Sequence, residues 1–249
     1  QFEEKGNSIV RISQVAQKPP ASVAPEVKSI FLNNNKDHLR IKTAIHMAIR
    51  FGIDGWSRQK KTRGVRVIPA GRRKLTKKDL EKVEELDLSG KGLVDLEPLV
   101  GLTKLKSLYL DNNPIAELTP LSKLPSLWTL SLNGGQLNDL TCLGGLEDLV
   151  YLKLNDNRIA DLTPIGGLKE IEIVGLSGNQ IVDLTPLAGL AKLYHLELEG
   201  NRISDLAPLA GLKSLKFLSV GKNPNLSKAK IDKLQEVLPD CEIQHTTNR

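Results

Sequence analysis

The sequence predicts an α/β solenoid, a parallel-stranded array in which one short unit is stacked on copies of itself. Three observations predict it. A Leu-x-Leu pair recurs every 22 residues, opened in turn by Leu86, Leu108, Leu130, Leu152, Val174, Leu196 and Leu218. Three residues past each pair stands a position occupied by Asn113, Asn157, Asn179, Asn201 and Asn223, with Lys91 and Gly135 as exceptions. No insertion breaks the period between residues 86 and 223, and only 4% of the chain is aromatic, so the core is built from leucine.

The spacing L-x-L-x-x-N is the signature of a leucine-rich repeat, and each part of it has a physical reason. One unit cannot bury its own apolar face, so stacked neighbours share a continuous core. The two leucines of a pair point inward from a short parallel strand, while the residues around and between them face out onto a concave surface. The Asn amide satisfies backbone groups at the turn; Lys91 stands beside an atypical first repeat, and Gly135 is expected to loosen its turn. An apolar residue follows, then an acid-Leu pair (Asp95-Leu96, Glu117-Leu118, Asp139-Leu140, Asp161-Leu162, Asp183-Leu184, Asp205-Leu206). Next comes Pro98, Pro120, Pro164, Pro186 or Pro208, with Cys142 in the third repeat. An acid that can cap free N–H groups and a Pro in the first turn form a helix entry. A 22-residue unit leaves little room for a full α-helix, so short 3₁₀ turns are expected on the convex side. The reading is a horseshoe with six full repeats and one partial repeat over residues 86–226.

The units NRIADLTPIGGL (157–168), NQIVDLTPLAGL (179–190) and NRISDLAPLAGL (201–212) resemble the bacterial internalin-like leucine-rich-repeat family. Upstream, LRIKTAIHMAIR (39–50) and KLTKKDLEKVEELDLSG (74–90) are similar to the helical N-terminal cap of that family, which places a cap over residues 37–85. Residues 51–73 are a basic insertion, longer than the family's linker, and inherit nothing from the resemblance. Downstream, IDKLQEVLPDCEI (231–243) is similar to a helical ending, giving a C-terminal cap over residues 227–249. Residues 1–36 read as an extended tail, in which SIVRISQV (8–15) suits one strand and KPPASVAP (18–25) suits polyproline-like chain. The resemblance implies a protein-recognition module, often exported, and the start at Gln1 rather than Met fits either removal of an export signal or a trimmed chain. The same repeat length also occurs in an intracellular regulator of protein phosphatases, which would imply the cytoplasm instead.

The charge is lopsided. Residues 1–82 hold 19 Lys/Arg and 7 Asp/Glu, whereas residues 83–249 hold 16 and 22. The basic run Arg58, Lys60, Lys61, Arg63, Arg66, Arg72, Arg73 and Lys74 is therefore a candidate site for an anionic partner, whether nucleic acid, anionic lipid or an acidic protein. It carries no nucleic-acid-binding motif, and a solvated loop docked on the acidic array is its bland alternative. No apolar run is long enough to span a membrane. Cys142 and Cys241 lie some 20 Å apart in the expected stack, too far to bridge.

On the concave slots the expected partner-binding residues are Tyr109, Trp128, Tyr151, Lys153, Tyr194, His195, Glu197 and Phe217, with Ile173 also facing out. Five of these are among the nine aromatic residues of the chain, and aromatic side chains anchor interfaces. His195 beside Glu197 and Glu199 is too sparse a set for a metal, and no cofactor is expected. No phosphate loop, Cys-x-x-Cys, H-E-x-x-H or G-x-S-x-G is present, so the chain reads as non-enzymatic. The expected function is protein–protein recognition on the concave face. The alternatives are a structural subunit of a larger assembly held by the tail and basic insertion, or an anionic-surface or nucleic-acid binder through residues 58–78.

Overall fold

A computed structural model describes residues 83–245. The tail, the basic run from Arg58 to Lys74 and nearly all of the expected N-terminal cap lie outside the described residues. Eight strands form one parallel sheet in chain order: β1 Glu85–Asp87, β2 Ser107–Tyr109, β3 Thr129–Ser131, β4 Tyr151–Lys153, β5 Ile173–Gly175, β6 His195–Glu197, β7 Phe217–Ser219 and β8 Glu242–Gln244. From β1 to β7 each residue pairs with the one 22 positions later, so equivalent side chains stand in straight rows across the sheet. β8 pairs in the same sense with β7 through Phe217↔Glu242 and Ser219↔Gln244. The C-terminal cap is thus one helix, α1 (Lys228–Val237), followed by a strand that extends the sheet, rather than helix alone.

The leucines lie where the period places them. Leu86, Leu108, Leu130, Leu152, Val174, Leu196 and Leu218 are all fully buried. Burying a side chain of this size stabilises the fold by roughly 1.5–3 kcal/mol, so one repeat gains its stability only against its neighbours. The convex side carries 3₁₀ turns at Glu97–Leu99, Thr119–Lys123, Thr141–Gly145, Thr163–Ile165, Thr185–Gly189 and Ala207–Gly211. At their entrances Asp139, Asp161 and Asp183 each accept the amide of the Thr two residues on at 2.8 Å. The Thr hydroxyl and then its amide hold these three carboxyls below the usual carboxylate range. Cys142, in the proline slot, packs half-buried against the core. Both Cys142 and Cys241 are free thiols pushed up to about 11 by burial, which keeps them in the unreactive protonated form.

The turns after the strands are closed by the asparagine ladder. The amide of Asn179 donates to the carbonyls of Leu154 (2.9 Å) and Leu176 (3.0 Å), while its oxygen accepts the Ile159 amide at 3.0 Å. Asn113, Asn157, Asn201 and Asn223 repeat this pattern. Gly135 is the missing rung: an Asn there would accept the buried Ile115 amide, and no described side chain replaces it. Just before this position the backbone is left-handed in all seven repeats, at Gly90, Asn112, Gly134, Asp156, Gly178, Gly200 and Lys222. Gly, Asn and Asp tolerate that region, and a lysine there is strained.

Gly200 and Gly211 separate conformation from space. Gly200 has φ +69° with only ordinary contacts around the position a methyl would take, and Gly211 has open space without a positive φ. Gly200→Ala is expected to lower unfolding stability by about 1–2 kcal/mol. Gly211→Ala is expected to leave it unchanged or raise it; urea unfolding of the two variants checks this.

Candidate functional site

Because equivalent residues stand in register, the solvent face of the sheet consists of three rows. The first runs Glu85, Ser107, Thr129, Tyr151, Ile173, His195, Phe217. The second runs Asp87, Tyr109, Ser131, Lys153, Gly175, Glu197, Ser219. The third, at the strand exits, includes Asp111, Asn133, Asn155, Ser177 and Glu199.

The first row forms a ridge. Tyr151, Ile173, His195 and Phe217 are consecutive neighbours on β4 to β7, all half-buried. His195 and Phe217 stack with ring centroids 4.3 Å apart and planes 11° from parallel. Trp128 and Tyr194 stand on the margin just before the strands; Tyr194 is 47% exposed and Trp128 half-buried. The carbonyl of each margin residue accepts two amides of the next repeat, which fixes the margin backbone: Trp128 from Val150 and Tyr151, Tyr194 from Lys216 and Phe217. Tyr109 lies on the second row, apart from the ridge. Burial raises its phenol pKa, helped by the charges of Glu85, Asp87 and Asp111 and by Tyr151.

The second row holds a closed ion pair. Lys153 is only 7% exposed, and its Nζ donates to Glu197 Oε1 at 2.7 Å across the intervening strand. Gly175 stands between them, where a Cβ would sit 2.5 Å from Lys153 Cδ and 2.9 Å from the Asn155 amide. The missing side chain is what lets lysine and glutamate meet two strands apart. Asn155 Nδ2 donates to Glu197 Oε2 at 3.1 Å, and His195 Nε2 lies 3.0 Å from Oε1. Burial alone would raise the Glu197 pKa, but the His195 contact, the Lys153 charge and hydrogen bond, and the Asn155 amide bring it down to about 2. The ionised carboxylate has no proton to give, so the His195 ring donates. The Lys153 ammonium also lies 6.0 Å from the centroid of the Tyr151 ring.

The third row adds a second ladder. Asp111, Asn133 and Asn155 each accept, through Oδ1, the backbone amide of the same position one repeat later, all at 2.8 Å. The eight expected residues therefore divide. Tyr151, His195 and Phe217 come together, Trp128 and Tyr194 flank them, Tyr109 stands apart, and Lys153 and Glu197 are engaged with each other. Asn155 and Gly175 complete that arrangement and were not expected; a glycine inside a strand is the sequence signal that marks such a close approach. Among the described residues no group of three or more His, Cys, Asp or Glu could hold a metal, and no helix is long and apolar enough to cross a membrane.

A carboxylate with a depressed folded-state pKa contributes stability that is full above its ordinary pKa and lost as pH falls towards the folded value. The stability difference between wild type and Glu197→Gln is therefore expected to be largest above about pH 5 and to vanish towards pH 2, as measured by thermal unfolding across pH. Gly175→Ala should displace Lys153 and raise the Glu197 pKa towards the ordinary range, which a carboxyl NMR titration reads directly.

The leucine-rich-repeat family model "Leucine Rich repeats (2 copies)" matches residues 81–123. No curated protein matches the chain. Among solved structures, the chain is similar to internalin C2 of Listeria monocytogenes, with 30% identity over 69% of this chain and 84% of that one and a TM-score of 0.58. It is also similar to an internalin of the same organism, InlF, with 28% identity over 69% of this chain and a TM-score of 0.57. It spans 58% of the length of the InlF chain. Leucine-rich-repeat proteins of the internalin kind are generally non-enzymatic and commonly mediate protein–protein interaction, and no enzyme family is indicated. On the identity and coverage of internalin C2, the chain belongs to the internalin-like family of leucine-rich-repeat proteins.

Proposed function

We propose that this chain is a protein-recognition module whose partner is buried against the concave face. The observation that carries the reading is the continuous ridge Tyr151–Ile173–His195–Phe217, flanked by Trp128 and Tyr194. Half-buried aromatic and apolar groups on a rigid scaffold lose little entropy on binding and gain the burial of their remaining surface. The Glu197–His195 contact holds the imidazole flat on Phe217, so the ridge is pre-organised. The domain organisation that fits is a tail at 1–36, an N-terminal cap at 37–85, repeats at 86–226 and a C-terminal cap at 227–249. The family's internalin members favour an exported or cell-surface location.

The test compares proteins captured by the whole chain with those captured by Tyr151→Ala/Phe217→Ala, with thermal unfolding as the check on folding. The double variant is expected to lose the captured partner, by at least ~10-fold in affinity, while remaining folded. Equal capture by a folded variant would overturn the concave reading. A third sample, lacking residues 1–73, distinguishes the rivals: a partner lost only with this deletion assigns function to the tail and basic insertion.

A further inference from the structure

The concave sheet face is charged in one sense. On its three rows stand Glu85, Asp87, Asp111, Glu197, Glu199 and, on β8, Glu242. The one lysine on those rows, Lys153, is buried and consumed by Glu197. Glu199 pairs with Lys222 at 2.9 Å from outside the rows. Among the described residues, Glu85, Asp87, Asp111 and Glu242 have no ion-pair partner; the first three gather at the β1–β2 end, and Glu242 stands singly on β8. The register sets Asp87 directly beside Tyr109, Glu85 lies one row away on β1, and Asp111 follows Tyr109 by two residues on the same face. Asp111 is fixed there, because its Oδ1 accepts the Ser131 hydroxyl at 2.6 Å and the Asn133 amide at 2.8 Å. The apolar ridge occupies β4 to β7, at the other end of the same face. Six interstrand steps separate β1 from β7, about 29 Å, the reach of roughly nine extended residues.

We infer that the occupant of this face is a protein surface of mixed chemistry, which sets lysine or arginine over Tyr109 and its three carboxylates while its apolar side chains cover the ridge. The inference rests on the concave reading proposed above and adds the partner's charge and orientation to it. Charge complementarity carries it: an acidic partner would meet carboxylates that, among the described residues, have no ion-pair partner and no available base beside them, whereas a basic side chain meets three carboxylates and a phenol ring able to take a cation on its face. The Lys153–Glu197 pair lies alongside the ridge on β4 to β6 and neutralises the charge there, which leaves the carboxylates at β1 and β2 as the acidic contact.

The chain has three tyrosines, Tyr109, Tyr151 and Tyr194, so a sample of the full chain labelled only in tyrosine gives three sets of ring signals, each assigned by a Tyr→Phe variant. Tetra-arginine is titrated into this sample, with tetra-glutamate as the control. The expected result is a saturable shift of the Tyr109 signals, no shift at Tyr194, no response to tetra-glutamate, and weaker binding as salt rises. The isosteric triple variant Glu85→Gln/Asp87→Asn/Asp111→Asn keeps the side-chain oxygen acceptor at position 111 and should bind tetra-arginine about tenfold more weakly. No shift, equal shifts at all three tyrosines, or undiminished binding by the triple variant would overturn the inference. The two readings fail separately. Tyr151→Ala/Phe217→Ala should leave the tetra-arginine response intact, so loss of the partner in that variant without any tetra-arginine binding removes only the basic half. Partner capture indifferent to the ridge removes the concave reading on which the inference rests.

Discussion

An asparagine side chain in five of the seven repeats settles the hardest problem this chain has, which is how to leave a buried strand without orphaning its backbone. The strand exits lie against the leucine core, where an unpaired carbonyl or amide costs about 1–3 kcal/mol. An amide side chain both donates and accepts, so Asn179 can hold carbonyls from two adjacent repeats and an amide from one of them. That cross-linking fixes the rise from repeat to repeat, and with it the strict register of the strands. The left-handed residue ahead of each Asn turns the chain sharply enough for the side chain to reach. Gly135 shows the dependence by exception, since among the described residues the Ile115 amide has no acceptor where that rung is missing.

Everything on the concave face follows from this register. Strands that pair residue for residue place like positions in rows, so a residue chosen once per repeat becomes part of a continuous stripe. The aromatic ridge is such a stripe, and so are the side-chain oxygen acceptors of Asp111, Asn133 and Asn155 behind it. Removing a side chain from a row has an equally regular consequence. Gly175 opens a gap one strand wide, and Lys153 and Glu197 close over it. A partly buried pair of this kind is a weak source of net stability, because desolvation offsets much of its attraction. Its effect on the surface is larger: it withdraws the only lysine on the face and orients His195.

The fold alone does not say what such a surface binds, because leucine-rich repeats carry many specificities on one scaffold. The face supplies the chemistry instead. Its parts differ: apolar along β4 to β7, where the Lys153–Glu197 pair is neutral, and acidic at β1 and β2. Partners are discriminated by what they would have to leave unpaired as much as by what they contact.

Much of this was legible in the sequence. The 22-residue period determines the strand positions, the inward leucines, the Asn ladder and its interruption at Gly135, and the Asp-to-Thr caps of the 3₁₀ turns, because each depends on contacts within one repeat or between identical neighbours. The left-handed slot is legible too, as the run Gly90, Asn112, Gly134, Asp156, Gly178, Gly200, although Lys222 disguises its last member. The outward residues could be named but not sorted. That Lys153 is buried rather than offered to a partner, that Tyr109 stands off the ridge, that Asn155 and Gly175 complete the Glu197 site, and that β8 continues the sheet after α1 were decided only by tertiary structure. A period reports what repeats, and these features arise where side chains of unlike neighbours reach across one or two strands, at distances the repeat itself does not encode.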